Sequence, residues 1–395
     1  MRAAGAYLLL TTLIVLATEC TSQPVVAVPR VQYDNPVHGF GLTIPEDWQM
    51  SPNKKGLITI SIDADIGPSI LWRQPVLWCF RTRQAPREEA QALAKDLQMV
   101  CGVAPAVRQR ANGVDWEVLI NASFAGTPIM QHWVCKQQAG VNFCLGAFVR
   151  PEFAQAFQQD IQTALDTVRL IPLPALKHFR EPTQNAYRLS FPEGWRWEGN
   201  VYRDALTPAY FVWKVSSPDG LSGAFSSPPA NFNIQTPYVP AGQAAQSIVL
   251  PLLAREVPGV RIEAVHDLTR ASAYYRDALR AAGLGSTPLA DRSVVDFAAT
   301  VNGVPIRIRT TILTCQLDSS PLLGGRGNWT LTVSGAWAPV VRFDQLYPVG
   351  RGIITSLLVD EKFDKAMRKT AGDAVDLTGK LGEAVAARWV DYIRQ

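Results

Sequence analysis

Histidine is scarce in this chain, with four in 395 residues, at positions 38, 132, 178 and 266. Zinc chemistry needs His or Cys at close ligand spacing, and nucleophilic hydrolysis needs a serine on a strained turn with a His base. Neither His-Glu-x-x-His, Cys-x-x-Cys nor Gly-x-Ser-x-Gly occurs, so the sequence offers no catalytic or metal-binding residue and calls for no cofactor. Charge is sparse too: 18% of residues are Asp, Glu, Lys or Arg, and the net value of +4 is spread along the chain. That leaves out nucleic acid as a partner, because its recognition takes a basic face. Past the N-terminus no apolar run is long enough to span a bilayer. What is abundant is apolar residues, 47%, including 11 Trp. A chain of this length and content fills the cores of two or three domains and is neither disordered nor fibrous.

Residues 1–27 read as a secretory signal. Arg2 precedes an apolar stretch over residues 6–17, and Thr18-Glu19-Cys20-Thr21-Ser22 follows. Cleavage after Ser22 or Ala27 gives an exported protein, periplasmic, cell-surface or secreted. Lipid attachment to Cys20 wants a small residue just before it, and Glu19 stands there. Membrane contact is therefore confined to the N-terminus, through a retained signal or a lipidated Cys20.

Export makes the remaining cysteines disulfide candidates. Residues 132–144 read as a hairpin turning at Ala139-Gly140. Counting back from Gln138 opposite Val141, a hydrogen-bonded pair, sets Cys135 opposite Cys144 at a non-hydrogen-bonded pair, where strands lie closest. A Cys135–Cys144 disulfide is expected. Cys79 with Cys101 is a second pairing, reached by elimination, which leaves Cys315 free.

An internal repeat sets the domain count. Phe40-Gly41-Leu42-Thr43-Ile44-Pro45-Glu46-Asp47-Trp48 matches Tyr187-Arg188-Leu189-Ser190-Phe191-Pro192-Glu193-Gly194-Trp195 position by position. Gly126-Thr127-Pro128-Ile129 then answers to Gly303-Val304-Pro305-Ile306, and Gly146-Ala147-Phe148 to Gly335-Ala336-Trp337, in the same order. Two copies of one domain are expected, over residues 31–172 and 183–360, joined by the Pro-bearing linker 173–182. The second copy carries a loop-like insertion near 216–240 and another near 270–291, an Ala-rich helix with its following loop. Residues 361–395 read as a helical tail. Within a copy, alternating strands form a meander around Asn112-Gly113, interrupted by a helix over 87–100 and closed by an amphipathic helix over 152–170. This is the α+β class: two tandem domains, each an antiparallel sheet packed with helices.

The motif of a strand ending in aromatic-x-Leu-hydroxyl-apolar-Pro-x-x-Trp, followed by meander, mid-domain helix and closing helix, resembles the PsbP-like fold family. That family includes the PsbP subunit of photosystem II, the Ran-binding Mog protein and exported DcrB-like and LpqN-like lipoproteins. The resemblance covers most of residues 31–360 and implies non-catalytic proteins that dock on membrane complexes or bind partners. The matching motif holds no functional residue, so no site follows from it.

Aromatic and Arg side chains anchor interfaces. Trp197, beyond the second motif, and Tyr274, Tyr275 and Arg276, on the inserted helix, are the candidate binding surface. The sequence thus points to an exported, non-catalytic binding or assembly protein of the bacterial cell envelope, with a protein partner or envelope complex. The alternatives are a carrier of an apolar small ligand, held between sheet and closing helix, and an enzyme of unrecognised type.

Overall fold

The computed structural model describes residues 28–52, 58–62, 75–124, 127–202, 210–227, 229–232, 236–281, 288–316, 328–363 and 365–366. The expected signal with Cys20, and most of the expected tail, lie outside the described residues.

The first unit opens with the hairpin β1 (Arg30–Asn35) and β2 (Phe40–Pro45), Tyr33 opposite Leu42. Then come β3 (Gln49–Pro52), β4 (Ile58–Ser61), β5 (Val76–Thr82), α1 (Pro86–Cys101), β6 (Ala106–Gln109), β7 (Trp116–Phe124), β8 (Thr127–Gln138), β9 (Val141–Val149), α2 (Pro151–Thr167) and β10 (Arg169–Leu170). A seven-stranded antiparallel sheet runs β3-β4-β5-β9-β8-β7-β6, and a small sheet runs β1-β2-β10. Both helices start on a proline, whose missing N–H is no loss in a first turn. The turn into β7 is held by Asn112, whose Oδ1 accepts from the amides of Val114 and Asp115 at 3.1 and 3.0 Å.

Alternation along β5 sends Leu77 and Cys79 to one face of the sheet and Trp78 and Phe80 to the other. The small sheet and α2 cover the first face with Tyr33, Leu42, Ile44, Phe157 and Leu165. The second face lies under Ala90, Leu93 and Leu97 of α1. On that face Cys135 and Cys144 stand directly opposite in the β8–β9 hairpin, 4.2 Å apart at Cα, and are joined in a disulfide. The expected Cys79–Cys101 pairing is corrected: both are free thiols. Cys79 points into the α2 face while Cys101 ends the helix on the opposite face, so the sheet itself lies between them.

The second unit contains β11 (Leu176–Arg180), β12 (Tyr187–Pro192), β13 (Arg196–Tyr202), β14 (Tyr210–Ser216), β15 (Gly223–Ser226) and β16 (Ala230–Phe232). Next are α3 (Ala241–Ala244), a π turn (Ala245–Val249), α4 (Leu250–Glu256), β17 (Arg261–Asp267), α5 (Thr269–Ala281), β18 (Leu289–Val301), β19 (Val304–Gln316), β20 (Trp329–Pro339), α6 (Phe343–Ile354) and β21 (Leu358–Val359). Its sheets run β13-β14-β15-β20-β19-β18-β17, with β16 beside β20, and β11-β12-β21. Apart from β16, this is the strand order of the first unit. The fold is α+β. The π turn has a local cause: Pro251 has no N–H for the Ser247 carbonyl and its ring crowds that carbonyl.

The correspondence extends to single bonds. Glu46 N donates to Pro29 O and Trp48 N to Pro45 O, just as Glu193 N donates to Ala175 O and Trp195 N to Pro192 O. The bend before each second strand takes a positive φ, +74° at Gly39 and +53° at Asn185. An aromatic faces a glycine across the sheet in both units, Trp78 with Gly146 and Phe225 with Gly335.

Two stretches differ from the sequence reading. The linker 173–182 contains β11, and the region 216–240 contains β15 and β16. Pro174 and Pro182 bracket β11 and disguise it. β15 is only Gly-Ala-Phe-Ser, where a Cβ on Gly223 would strike the Trp337 ring and the Val215 carbonyl, so its small residues mark close packing and not a loop.

Candidate functional site

The two units meet by reciprocal insertion. The turn after β1 sends Val37 into the second unit's core beside Tyr187, Leu189 and Ile353. Asn35 Nδ2 donates to Thr355 Oγ1 at 3.0 Å, and a Cβ on Gly352 would lie 2.7 Å from both Asn35 and Val37. In the other direction, Leu268, Ala271 and Tyr274, the last two on α5, join the first unit's core, Tyr274 packing on the Phe157 ring.

Charge pins this contact. Arg270 donates to both carboxylate oxygens of Asp47, at 2.7 and 2.6 Å, and Asp47 is 1% exposed. Its remaining nitrogen lies 3.6 Å from Asp160, which accepts from Arg30 at 2.9 Å. Burial works against the Arg270 charge, but Asp47 and Asp160 outweigh it and raise the pKa. Burial also pushes the Tyr274 phenol up to about 12, against the opposing pull of Arg270. On the far side of the seam Arg351 sits 3.8 Å from the centre of the Tyr33 ring and donates to the Trp48 carbonyl.

Locked in this way, α5 stands beside β17 and α3 and walls a cleft of about 370 Å³. Gly242 lets α3 cross β17 closely, since a Cβ there would be 2.8 Å from Asp267 Oδ1. The cleft's polar lining includes Gln243, Gln246, Asp267, Ser272, Arg276 and Asp291. Several of these are fixed. Asp267 accepts from Ser293 Oγ at 2.6 Å, Arg276 donates to Ala290 O at 2.7 Å, and Asp291 accepts from Tyr238 OH at 2.8 Å. Burial, with Asp291 adding to it, raises the Tyr238 pKa above the ordinary phenol value despite the Thr314 hydroxyl, so Tyr238 stays a donor. Ser272 Oγ is used twice, donating to Leu268 O and accepting from Arg292 N. The cleft therefore offers side-chain amides and charges of both signs on a preset frame, a surface that suits polar groups of a partner.

The candidate binding residues do not share one surface. Trp197 lies on edge strand β13, half-buried against the Phe179 ring, centroids 4.5 Å apart. Tyr274 is taken up by the seam, and Arg276 lines the cleft. Tyr275 is half-buried on the same helix. Asp47 and Arg270 were not singled out by sequence reasoning. One signal was present: Asp47 stands where the second copy of the motif has Gly194. Among the described residues no group of three His, Cys, Asp or Glu is placed to hold a metal ion, and no helix is long and apolar enough to cross a membrane.

No family model matches the chain. No curated protein matches it. Among solved structures, the chain is similar to the cyanobacterial PsbP of Synechocystis sp. PCC 6803 over 37% of its own length and 95% of that chain, at 9% identity and a TM-score of 0.27. LpqN, involved in cell envelope biogenesis of Mycobacterium tuberculosis, is matched over 34% of this chain and 83% of its own, at 15% identity and a TM-score of 0.25. The immunity protein TplEi of Pseudomonas aeruginosa is matched over 85% of this chain and 98% of its own, at 10% identity and a TM-score of 0.22. Likeness at this level assigns neither family nor function.

Proposed function

We propose that the protein is an exported, non-catalytic binding protein of the bacterial cell envelope that holds a protein partner at the cleft between α3, β17 and α5. The observation that carries this reading is the cleft itself: its wall α5 is fixed from behind by the buried Arg270–Asp47 pair, so the binding surface is preorganised. The Cys135–Cys144 disulfide supports an oxidising compartment and, with the signal-like N-terminus, export. A carrier of an apolar ligand would need space between sheet and closing helix. There Trp48, Phe143, Phe157 and Leu165 pack together at 0 to 3% exposure, which favours partner binding. The matching strand orders support reading the two units as tandem copies of one PsbP-like domain.

A photo-crosslinker placed at Gln246 and, separately, at exposed Glu88 tests the reading in the native cell envelope. The expected result is a defined crosslinked partner from Gln246 and none from Glu88. Equal labelling from both positions, or none from Gln246, overturns the cleft as the partner site.

A further inference from the structure

We infer that the outer edge of β17 takes up an extended polypeptide segment of the partner as an added strand, whose side chains run into the cleft alongside. This rests on the cleft being the partner site. β17 ends the eight-stranded order, so one of its two sides has no neighbouring strand among the described residues.

The register decides which backbone groups face outward. Leu268 N donates to Arg292 O at 2.9 Å, and the preceding pairs are Asp267 with Ser293, His266 with Val294, Val265 with Val295 and Ala264 with Asp296. Residues of an antiparallel strand alternate between turning both N–H and C=O toward the partner strand and turning both away. Leu268, His266 and Ala264 therefore turn theirs to β18, and Val265 and Asp267 turn theirs out. Those two residues are also the β17 residues that line the cleft. A row of outward N–H and C=O groups is the chemistry that recognises an extended backbone, and side chains beside the row add specificity. Here those side chains are the amides of Gln243 and Gln246 and the Arg276 guanidinium.

The matching edge of the first unit lacks this combination. β6, the matching edge of the first unit, has four residues, and it passes into β7 through the tight Asn112-Gly113 turn with no helix in place of α5. β17 has seven, and its bulge between Ile262 and Ala264 leaves the half beside the cleft regular.

The test pans a random-peptide display library on the whole exported protein with its disulfide intact, then follows a selected synthetic peptide by hydrogen–deuterium exchange at single-residue resolution. Backbone bonds to two exposed amides should slow exchange at Val265 and Asp267 by about tenfold or more. Val265→Pro, which removes an outward N–H and spares the β18 ladder, should weaken peptide binding by about tenfold. Should that variant fail to fold, the exchange pattern of the unmodified protein decides alone. Protection confined to α3 and α5, with Val265 and Asp267 unchanged, overturns strand addition and keeps the cleft as a partner site. Failure to select any peptide, together with no crosslink from Gln246, overturns both readings.

Discussion

Arg270→Met probes the seam between the units. Asp47 is 1% exposed and the Arg270 side chain 11%, so the pair is held out of water with two bonds of 2.7 and 2.6 Å. At about 4 Å between charge centres and an effective dielectric near 20, their attraction is about 4 kcal/mol. Methionine keeps much of the packing against Phe157, which Arg270 overlies at 5.5 Å, but leaves Asp47 charged and buried with that partner gone. Asp160 retains Arg30, so the loss falls on Asp47. Breaking a buried pair from one side costs about 3 to 5 kcal/mol, whereas replacing both members by apolar groups is close to neutral. Urea unfolding followed by tryptophan fluorescence and far-UV circular dichroism reads both results. Arg270→Met should lower the midpoint strongly and separate the two units into two transitions, and Asp47→Leu combined with Arg270→Met should recover most of the loss. A single variant within about 1 kcal/mol of the parent, or a double variant no better than the single, refutes the claim that this pair locks the seam.

Three further outcomes follow from the structure. In the chain without its first 27 residues, three thiols, Cys79, Cys101 and Cys315, should label after denaturation without reductant, and two more after reduction; in the native state Cys101 should react first, because burial pushes the Cys79 thiol far up and the Cys315 thiol up to about 12. Cys135→Ala with Cys144→Ala, opening a crosslink of nine-residue separation, should cost about 2 to 3 kcal/mol in the same urea assay. Burial pushes His38 down to about 4, against a smaller pull from the Thr355 backbone. Between about pH 6.5 and 4 the unfolded chain therefore binds the extra proton, and stability falls with pH by at most about 3 kcal/mol, less as His38 is partly exposed. His38→Gln should flatten that segment of the stability profile, and an unchanged slope would remove His38 as its source.

Much of the fold was legible because the repeat preserves what a sheet needs. The strands from β5 to β9, the two helices of the first unit and the Cys135–Cys144 register all follow from alternation, 3.6-residue spacing and turn residues. The hidden strands β11 and β15 share a cause: prolines flank one and small residues make up the other, so neither shows the β-branched alternation that marks a strand. Cys79–Cys101 failed because elimination ignores which face of the sheet a residue takes. The site was less legible for a geometric reason. Tyr274 and Arg276 are two residues apart on a helix and point in different directions, one into the first unit and one into the cleft.

That divergence also shows how the second unit carries both the lock and the site. Leu268, Ala271 and Tyr274 recur every three residues and face the first unit, while Thr269, Ser272 and Arg276 recur at three and four and face the cleft. The two stripes have the same period and are offset, so one amphipathic helix serves two surfaces without sharing a residue between them. In the first unit the corresponding connection, between β6 and β7, is the Asn112-Gly113 turn, which can build neither wall nor lock. The motif residue that receives the lock, Asp47, is likewise one where the copies differ. Trp48, which is fully buried, has its counterpart in Trp195, and Gly146 in Gly335, whereas the units differ at Asp47, which joins them, and at α5, which shapes the cleft. The cleft wall is thus shaped by both units, since α5 lies beside β17 with its other face packed into the first unit.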